Sequence, residues 1–219
     1  GFDEKYHPAA VQLIQQSIDA RLDLPNPHLD ETEFSLKLLT KAKRLDEMEF
    51  YLPLSRLRID DLKQLLYQHL PKDSSAESSH WQTIRDAVEG LYFDEVEGFL
   101  KGFIDLIFEY DGRYYLADYK SNSLNDYDQA GLFDAMAHSH YYLQYLFYSV
   151  ALHRYLKQRV TGYSWETHIG GAYYLFIRGM TAKGETSIGS NGVFFDKPSL
   201  SLIEALDNLF VTMDGVANG

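Results

Sequence analysis

The chain has 219 residues, contains no cysteine and carries a formal net charge of −12. The absence of cysteine excludes disulfides and thiolate metal sites, and it fits a reducing compartment. The sequence has neither a signal-peptide pattern nor an apolar run long enough to span a bilayer. The acidic charge argues against nucleic-acid binding through a basic surface, although bound cations or basic partner subunits would offset it.

The amino-terminal part of the chain has mainly helical patterns. Apolar spacing predicts helices at residues 8–22, 34–45 and 59–70, with a strand at 49–54. The polar, serine-rich stretch 71–80 predicts a loop, and a short helical or irregular piece follows at 81–91.

The second half of the chain alternates strands and helices. It predicts a β-hairpin over 96–119, a loop at 122–128, the longest helix at 129–159, an apolar strand at 171–178, a glycine-rich loop and a closing helix at 198–213. This order indicates an α/β fold, in which a sheet of mixed strand direction is flanked by helices.

The predicted hairpin carries the most specific chemical signal. Asp111-Gly112 is a preferred dipeptide of a two-residue type I′ turn, which makes Tyr110 face Arg113. Counting outward from that turn, Asp105 and Asp118 are direct cross-strand partners, with Cβ atoms about 4.5–5.5 Å apart. Two carboxylates about 5 Å apart repel by roughly 3 kcal/mol at an effective dielectric of about 20. The register therefore predicts a cation between the two aspartates.

Lys120 extends this pair into an acidic and basic cluster. It lies two residues beyond Asp118 and so points to the same face of the sheet. An exposed, charged sheet face is the simpler alternative, but Asp105 lies in an apolar stripe, where a carboxylate is costly unless it is paired or metal-bound. Lys120 either pairs with the carboxylates or polarises an attacking water and stabilises charge on a phosphate.

Other candidate site residues carry weaker signals. Taken alone, Glu49 is typical of a solvated strand residue. Gln144 and Tyr148 share a helix face at i and i+4, which is also typical of a packing stripe. Arg178 ends the predicted late strand beside the glycine-rich loop, where it either meets a phosphate or is a surface charge.

Several motifs resemble a known family. GFID ending at Asp105, YLADYKS around Asp118 and Lys120, and LQYLFY with Gln144 and Tyr148 resemble the RecB-like branch of the PD-(D/E)XK nuclease superfamily. The stretches MEFYLP, LKGFIDL, GRYYL, ALHRYL and GGAYYLFIRG extend this similarity to the C-terminal nuclease domains of RecB-type subunits in bacterial helicase–nucleases. The similarity is dense from 49 to 179, and it implies a restriction-endonuclease-like core.

The resemblance implies a role for each residue of the cluster. Asp105 and Asp118 match the family's metal-binding acids, and Lys120 matches its catalytic lysine. The backbone carbonyl of Tyr119 is expected to complete the metal shell, and Glu49 matches a further acid of the first strand. The expected ion is Mg²⁺, a hard cation that takes oxygen ligands, with Mn²⁺ or Ca²⁺ as substitutes in binding.

The resemblance also implies substrate and partners. Gln144 and Tyr148 match the Q-x3-Y motif, which lines the site and approaches DNA. The implied function is a Mg²⁺-dependent exodeoxyribonuclease that serves an ATP-dependent helicase–nuclease in double-strand break repair and recombination, in the bacterial cytoplasm. The implied partners are DNA, RecC-like and RecD-like sister subunits that form much of the DNA path, and a RecA-type recombinase.

One departure from the family concerns its metal-binding histidine. The family has this residue in a Phe-Leu-His motif on a helix upstream of the first-strand acid, and neither His7 nor His28 lies in such a motif. The expectation is an excised C-terminal fragment that begins after that helix and forms a single nuclease domain, 1–219. Its expected parts are a helical N-terminal segment (1–45), a catalytic core (46–179), and a loop with a C-terminal helix (180–219). The alternative is a non-catalytic module that docks on partner subunits or a recombinase.

Overall fold

A mixed β-sheet organises the part of the chain that the computed structural model describes, residues 4–22, 24, 34–71, 76–180 and 192–211. The helices are α1 His7–Asp19, α2 Ile59–His69, α3 Ala76–Glu89, α4 Gln129–His138, α5 Tyr141–Arg159, α6 Trp165–His168 and α7 Leu200–Val211. The strands are β1 Arg44–Leu57, β2 Val96–Tyr110, β3 Arg113–Lys120, β4 Ile169–Phe176 and β5 Val193–Asp196. Within these residues no helix combines the length and apolar character needed to cross a membrane.

The spatial order of the strands is the same as their order in the chain. β1, β2 and β3 form an antiparallel meander, β4 pairs parallel to β3, and β5 pairs antiparallel to β4. The parallel pair needs a crossover, and α4, α5 and α6 supply it. This arrangement confirms the predicted α/β fold with a mixed central sheet.

Two apolar layers cover the sheet. The larger layer joins the helices to one sheet face, where Phe50, Ile104, Leu116 and Tyr174 contribute side chains. The smaller layer lies on the other face, where Leu22, Phe34 and Leu36 cover residues such as Phe108, Tyr115 and Tyr173. Every residue of β4 is buried, so this strand is covered on both faces.

The hairpin turn forms as predicted. Asp111 and Gly112 have positive φ angles of 49° and 73°, as a type I′ turn requires. The β2–β3 pairs run from Tyr110 and Arg113 to Leu106 and Ala117. The turn therefore sets the register of β2 and β3 up to the residues that adjoin Asp105 and Asp118.

We expect Gly112→Ala to destabilise the fold by about 1–2 kcal/mol, because a Cβ atom is disfavoured at left-handed φ. No atom within 4 Å would contact that Cβ, so the cost is conformational and not a clash. Gly90→Ala is a matched control, since its φ is not positive and its nearest contact would be an ordinary 3.6 Å. Urea unfolding of the two variants tests this; equal midpoints would contradict the assigned turn type.

Two helix predictions are wrong: residues 34–45 form no α-helix, and residues 129–159 do not form a single helix. Residues 34–45 form single 3-10 turns at Leu36–Leu38 and Lys41–Lys43, and then enter β1 at Arg44. The ring of Phe34 stacks on Phe108 with centroids 5.3 Å apart, and its backbone bridges to Leu22. Packing onto the sheet has overridden the helical spacing. The predicted helix 129–159 is two helices, because His140 adopts φ 52° between α4 and α5.

The loop predictions have mixed outcomes. Residues 76–80, predicted as loop, begin α3, whereas 72–75 lie outside the described residues. β5 was not predicted, because it is only four residues long and follows the glycine-rich stretch. Residues 181–191 of that stretch also lie outside the described part of the chain.

Asp196, the last residue of β5, should make the free energy of unfolding depend on pH. Burial raises the pKa of Asp196 to about 6, and a hydrogen bond from Tyr145 only partly opposes this shift. The folded state therefore binds the proton more tightly than the unfolded chain, and stability falls as pH rises from about 4 through about 6. Asp196→Asn should remove up to about 3 kcal/mol of this pH-dependent loss. Urea unfolding at several pH values tests this; parallel pH profiles for wild type and variant would contradict it.

Candidate active site

The regular pairing of β2 is interrupted at Asp105. On the β1 side, the ladder skips the position between the Asp46–Leu106 and Met48–Ile104 pairs, where Glu47 adopts φ 52°. Ile104 and Ile107 pack in the same apolar layer although they are three residues apart, so the alternation of faces is broken between them. Irregular positions of this kind re-aim side chains and are common beside active sites.

The Asp105 carboxylate reaches strand β3. Its Oδ2 atom accepts a hydrogen bond of 3.0 Å from the backbone N–H of Tyr119. The backbone pairing of the two strands ends one position earlier, at Leu106 and Ala117. Asp105 thus lies beside the next part of β3, which carries Asp118 and Lys120.

Asp118 and Lys120 form a buried ion pair. Only 3% of Asp118 and 9% of Lys120 are exposed, and the Lys120 ammonium contacts Asp118 Oδ1. Burial raises the pKa of Asp118, the Lys120 ammonium opposes this shift, and the charge of Asp105 adds to it. The direct cross-strand pairing of Asp105 with Asp118 stays a prediction, because the β2–β3 ladder ends at Leu106 and Ala117.

A polar and aromatic shell surrounds the Lys120 ammonium. Lys120 Nζ donates to Gln144 Oε1 at 2.9 Å, and Gln144 Nε2 donates to the Tyr148 hydroxyl at 2.8 Å. The Tyr174 hydroxyl donates to the same Gln144 oxygen at 2.9 Å. The ring centroids of Tyr141 and Tyr174 lie 4.0 and 5.0 Å from Nζ, within range of cation–π attraction.

Two elements supply this shell. The helix α5 presents Tyr141, Gln144 and Tyr148 on successive turns. The parallel β3–β4 register places Tyr174 directly beside Asp118. Burial, with the nearby Asp118 charge, raises the pKa of Tyr148 to about 12 and also raises the pKa of Tyr174. Both hydroxyls therefore keep their protons at neutral pH.

Glu49 and Arg178 lie at the margins of this arrangement. The Glu49 carboxylate pairs with Lys101 and accepts a hydrogen bond of 3.1 Å from the Tyr51 hydroxyl, so these groups, and not the aspartates, are its partners here. Its role in a metal site stays a prediction. Arg178 is exposed, and its Nε donates at 2.8 Å to the carbonyl of Ser121, the residue after Lys120.

The donor set fits a hard cation. Among the described residues, no group of three or more His, Asp or Glu side chains is arranged to hold a metal ion. His7 is exposed at the start of α1, and His28 lies outside the described residues. Mg²⁺ is often held by one or two carboxylates, with waters and substrate phosphates completing its octahedron. Asp105, Asp118 and the Tyr119 carbonyl are oxygen donors of that kind.

Comparison with known families decides the assignment. A family model described as the PD-(D/E)XK nuclease superfamily matches residues 7–210, which include the whole cluster. The chain belongs to the PD-(D/E)XK nuclease superfamily. This membership confirms the family resemblance and the restriction-endonuclease-like fold class predicted from the motifs.

Relatives within this superfamily include proteins named RecBCD enzyme subunit RecB. The chain is 38% identical to the Escherichia coli K12 protein over 218 residues, which cover 97% of this chain and 16% of that protein. It is 38% identical to the Haemophilus influenzae protein over 191 residues, 84% of this chain and 14% of that protein. It is 32% identical to the Mycolicibacterium smegmatis protein over 194 residues, which cover 80% of this chain and 18% of that protein. The chain thus spans less than a fifth of the length of these curated relatives.

Sequence reasoning missed two parts of the shell around Lys120. Tyr174 was predicted only as part of an apolar strand, and Tyr141 only as part of a packing stripe. The alternation of β4 separates Tyr173 from Tyr174 and puts one of them on the helix-covered face. Only the β3–β4 register identifies which tyrosine lies beside Asp118.

Proposed function

We propose that the chain is a Mg²⁺-dependent DNA nuclease that hydrolyses phosphodiester bonds. The observation that carries this proposal is the buried Asp118–Lys120 ion pair, with the Asp105 carboxylate hydrogen-bonded at 3.0 Å to the backbone N–H of Tyr119, between the two. The cost of burying these charges is understandable if their geometry serves chemistry on a charged substrate.

Each residue of the cluster has a distinct proposed role in metal binding or hydrolysis. Asp105, Asp118 and the Tyr119 carbonyl hold the metal, with Glu49 as a further candidate ligand. When bound, Mg²⁺ lowers the pKa of its water and stabilises negative charge on the phosphate. Lys120 orients the attacking water and donates to the phosphate oxygen on which charge develops.

The surrounding side chains hold the lysine and the DNA strand. Gln144 accepts a hydrogen bond from Lys120 and donates one to the Tyr148 hydroxyl, so it links the Lys120 ammonium to α5. Arg178 is exposed next to the end of β3, where its guanidinium can pair with a DNA phosphate. We infer that Gln144, Tyr148 and Arg178 line the path of the strand.

The proposed biological setting follows from the relatives' names. We infer an exodeoxyribonuclease V-type activity within a RecBCD-like helicase–nuclease, which acts in double-strand break repair and recombination. In such a complex, RecC-like and RecD-like subunits would supply the positive surface that a chain of net charge −12 lacks. A RecA-type recombinase is a further proposed partner.

A direct assay tests the nuclease proposal. The purified chain is incubated with Mg²⁺ and end-labelled linear DNA, and covalently closed circular DNA reports any cleavage that does not need an end. Linear DNA should be degraded and the closed circle spared, whereas Asp118→Ala should degrade neither. Equal degradation by wild type and Asp118→Ala would show that this site is not the nuclease centre.

The alternative is a docking module that does no chemistry. One observation favours it, namely that the described residues contain no cluster of three acidic or histidine side chains for a metal. Titration calorimetry with Mn²⁺ and Ca²⁺ separates the two functions. Binding by wild type that is lost in Asp118→Ala supports the nuclease, whereas no binding by either protein favours the docking module.

A further inference from the structure

The Lys120 ammonium is positioned by a network that extends beyond the acidic pair. An ammonium has three N–H donors and no acceptor, so its direction is set by the acceptors around it. In the described part of the chain, Asp118 Oδ1 and Gln144 Oε1 are its oxygen acceptors. Since Asp118 belongs to the same strand, Gln144 is the acceptor that ties Lys120 to α5.

The direction of the Gln144 side chain is in turn set by tyrosine hydroxyls. Its terminal amide rotates about a broad, roughly two-fold torsion, so the backbone of α5 does not by itself determine where the oxygen points. The Tyr174 hydroxyl donates to Oε1 at 2.9 Å, and Tyr148 accepts from Nε2 at 2.8 Å. Tyr174 is the partner that acts on the same oxygen as Lys120.

The surroundings of Tyr174 make this contact rigid. Its side chain is fully buried, and it lies beside Asp118 in the β3–β4 ladder. Its ring also lies 5.0 Å from Lys120 Nζ and 5.7 Å from the Tyr141 ring, so the tyrosine itself is held on several sides. A buried hydrogen bond of this kind is stronger than one in water.

We propose that Tyr174 is a positioning residue for Lys120, which acts through Gln144. Its hydroxyl holds the Gln144 oxygen where it accepts from the ammonium, and the ammonium is thereby aimed at the water and phosphate. This inference rests on the proposed nuclease function and adds a residue outside both the Asp105, Asp118 and Lys120 cluster and the Q-x3-Y motif.

The first test is kinetic. Tyr174→Phe keeps the ring and removes the hydroxyl, so the single-turnover cleavage rate should fall about 3- to 10-fold. DNA affinity measured in Ca²⁺ should stay within about twofold, because the hydroxyl acts on orientation in the transition state. Tyr173→Phe is the matched control: it removes a buried hydroxyl from the adjacent residue of β4, on the opposite face.

A double variant separates positioning from general stability. In a Gln144→Met background, Tyr174→Phe should cause no further loss of rate, since the hydroxyl acts through the amide. If the loss persists at full size in that background, or if Tyr173→Phe lowers the rate equally, the proposal is overturned.

A measurement without turnover keeps this proposal distinct from the nuclease proposal. A held, buried ammonium exchanges its protons slowly, so we expect an NMR-detectable N–H signal of Lys120 in the metal-free chain. That signal should broaden in Tyr174→Phe and persist in Tyr173→Phe. If the wild type cleaves DNA but the two variants give equal spectra and equal rates, the positioning role fails alone. If the spectra differ as expected and the wild type does not cleave DNA, the nuclease proposal fails alone.

Discussion

Replacing Lys120 with alanine is expected to lower the DNA cleavage rate by about 10²–10³-fold, the usual range for loss of one donor to an oxygen on which negative charge develops. The reason is that Lys120 is the cation held beside Asp118 and directed by Gln144. Metal affinity should change much less, because the proposed ligands are oxygen atoms of other residues. Single-turnover cleavage in Mg²⁺ and calorimetry with Mn²⁺ measure the two effects separately.

The matched control for this experiment is Lys63→Ala. Lys63 lies on α2 and also has a defined partner, since its ammonium donates at 2.7 Å to the carbonyl of Glu89. This variant should cleave DNA at the wild-type rate. Cleavage that survives in Lys120→Ala would contradict the catalytic role, and a parallel loss of Mn²⁺ binding would indicate that the lysine serves mainly to organise the carboxylates.

The hairpin that carries Asp105 and Asp118 could be predicted because its determinants are local. The turn at Asp111-Gly112 requires positive φ at both residues, and few sequences adopt that geometry at low cost. Once the turn is assigned, simple counting relates Asp105 to Asp118. The distortion at Glu47 could not be predicted, because it arises in the pairing of β1 with β2 and has no turn signature of its own.

The shell around Lys120 depends on contacts between distant parts of the chain. Gln144 and Tyr148 were recognised by family resemblance, while their helical spacing alone also fitted ordinary packing. The contact of Gln144 with Lys120 requires the crossover to return α5 over β3, which periodicity does not specify. Tyr174 requires the β3–β4 register in addition. A single sequence contains no local signal for either.

The errors in predicted helices have the same origin. Residues 34–45 have helical apolar spacing, but Phe34 gains more by packing its ring against Phe108 and Tyr110 of the sheet. Leu45 becomes part of β1, paired with Ile107. The break at His140 also accompanies a tertiary contact, because α5 begins immediately after it at Tyr141, whose ring centroid lies 4.0 Å from Lys120 Nζ. Local propensity is a weak predictor wherever such contacts compete with it.

The second large effect concerns stability without metal. Lys120→Met removes the ammonium and leaves the Asp118 carboxylate, which is 3% exposed, without its ion partner. Breaking a buried pair from one side costs about 3–5 kcal/mol, because the remaining charge stays buried. We therefore expect a large drop in the free energy of unfolding, measured by urea denaturation in EDTA.

Removing the other partner of the ion pair, Asp118, should lower the free energy of unfolding less. In Asp118→Asn the Lys120 ammonium keeps the Gln144 oxygen and the rings of Tyr141 and Tyr174, so we expect a loss of about 1–3 kcal/mol. The double variant, Asp118→Asn with Lys120→Met, should be more stable than Lys120→Met alone, because no uncompensated charge remains. Strictly additive losses would mean that the two side chains do not stabilise each other in the folded chain. The ion pair would then have no structural role, and its geometry would have to be explained by the chemistry of the site alone.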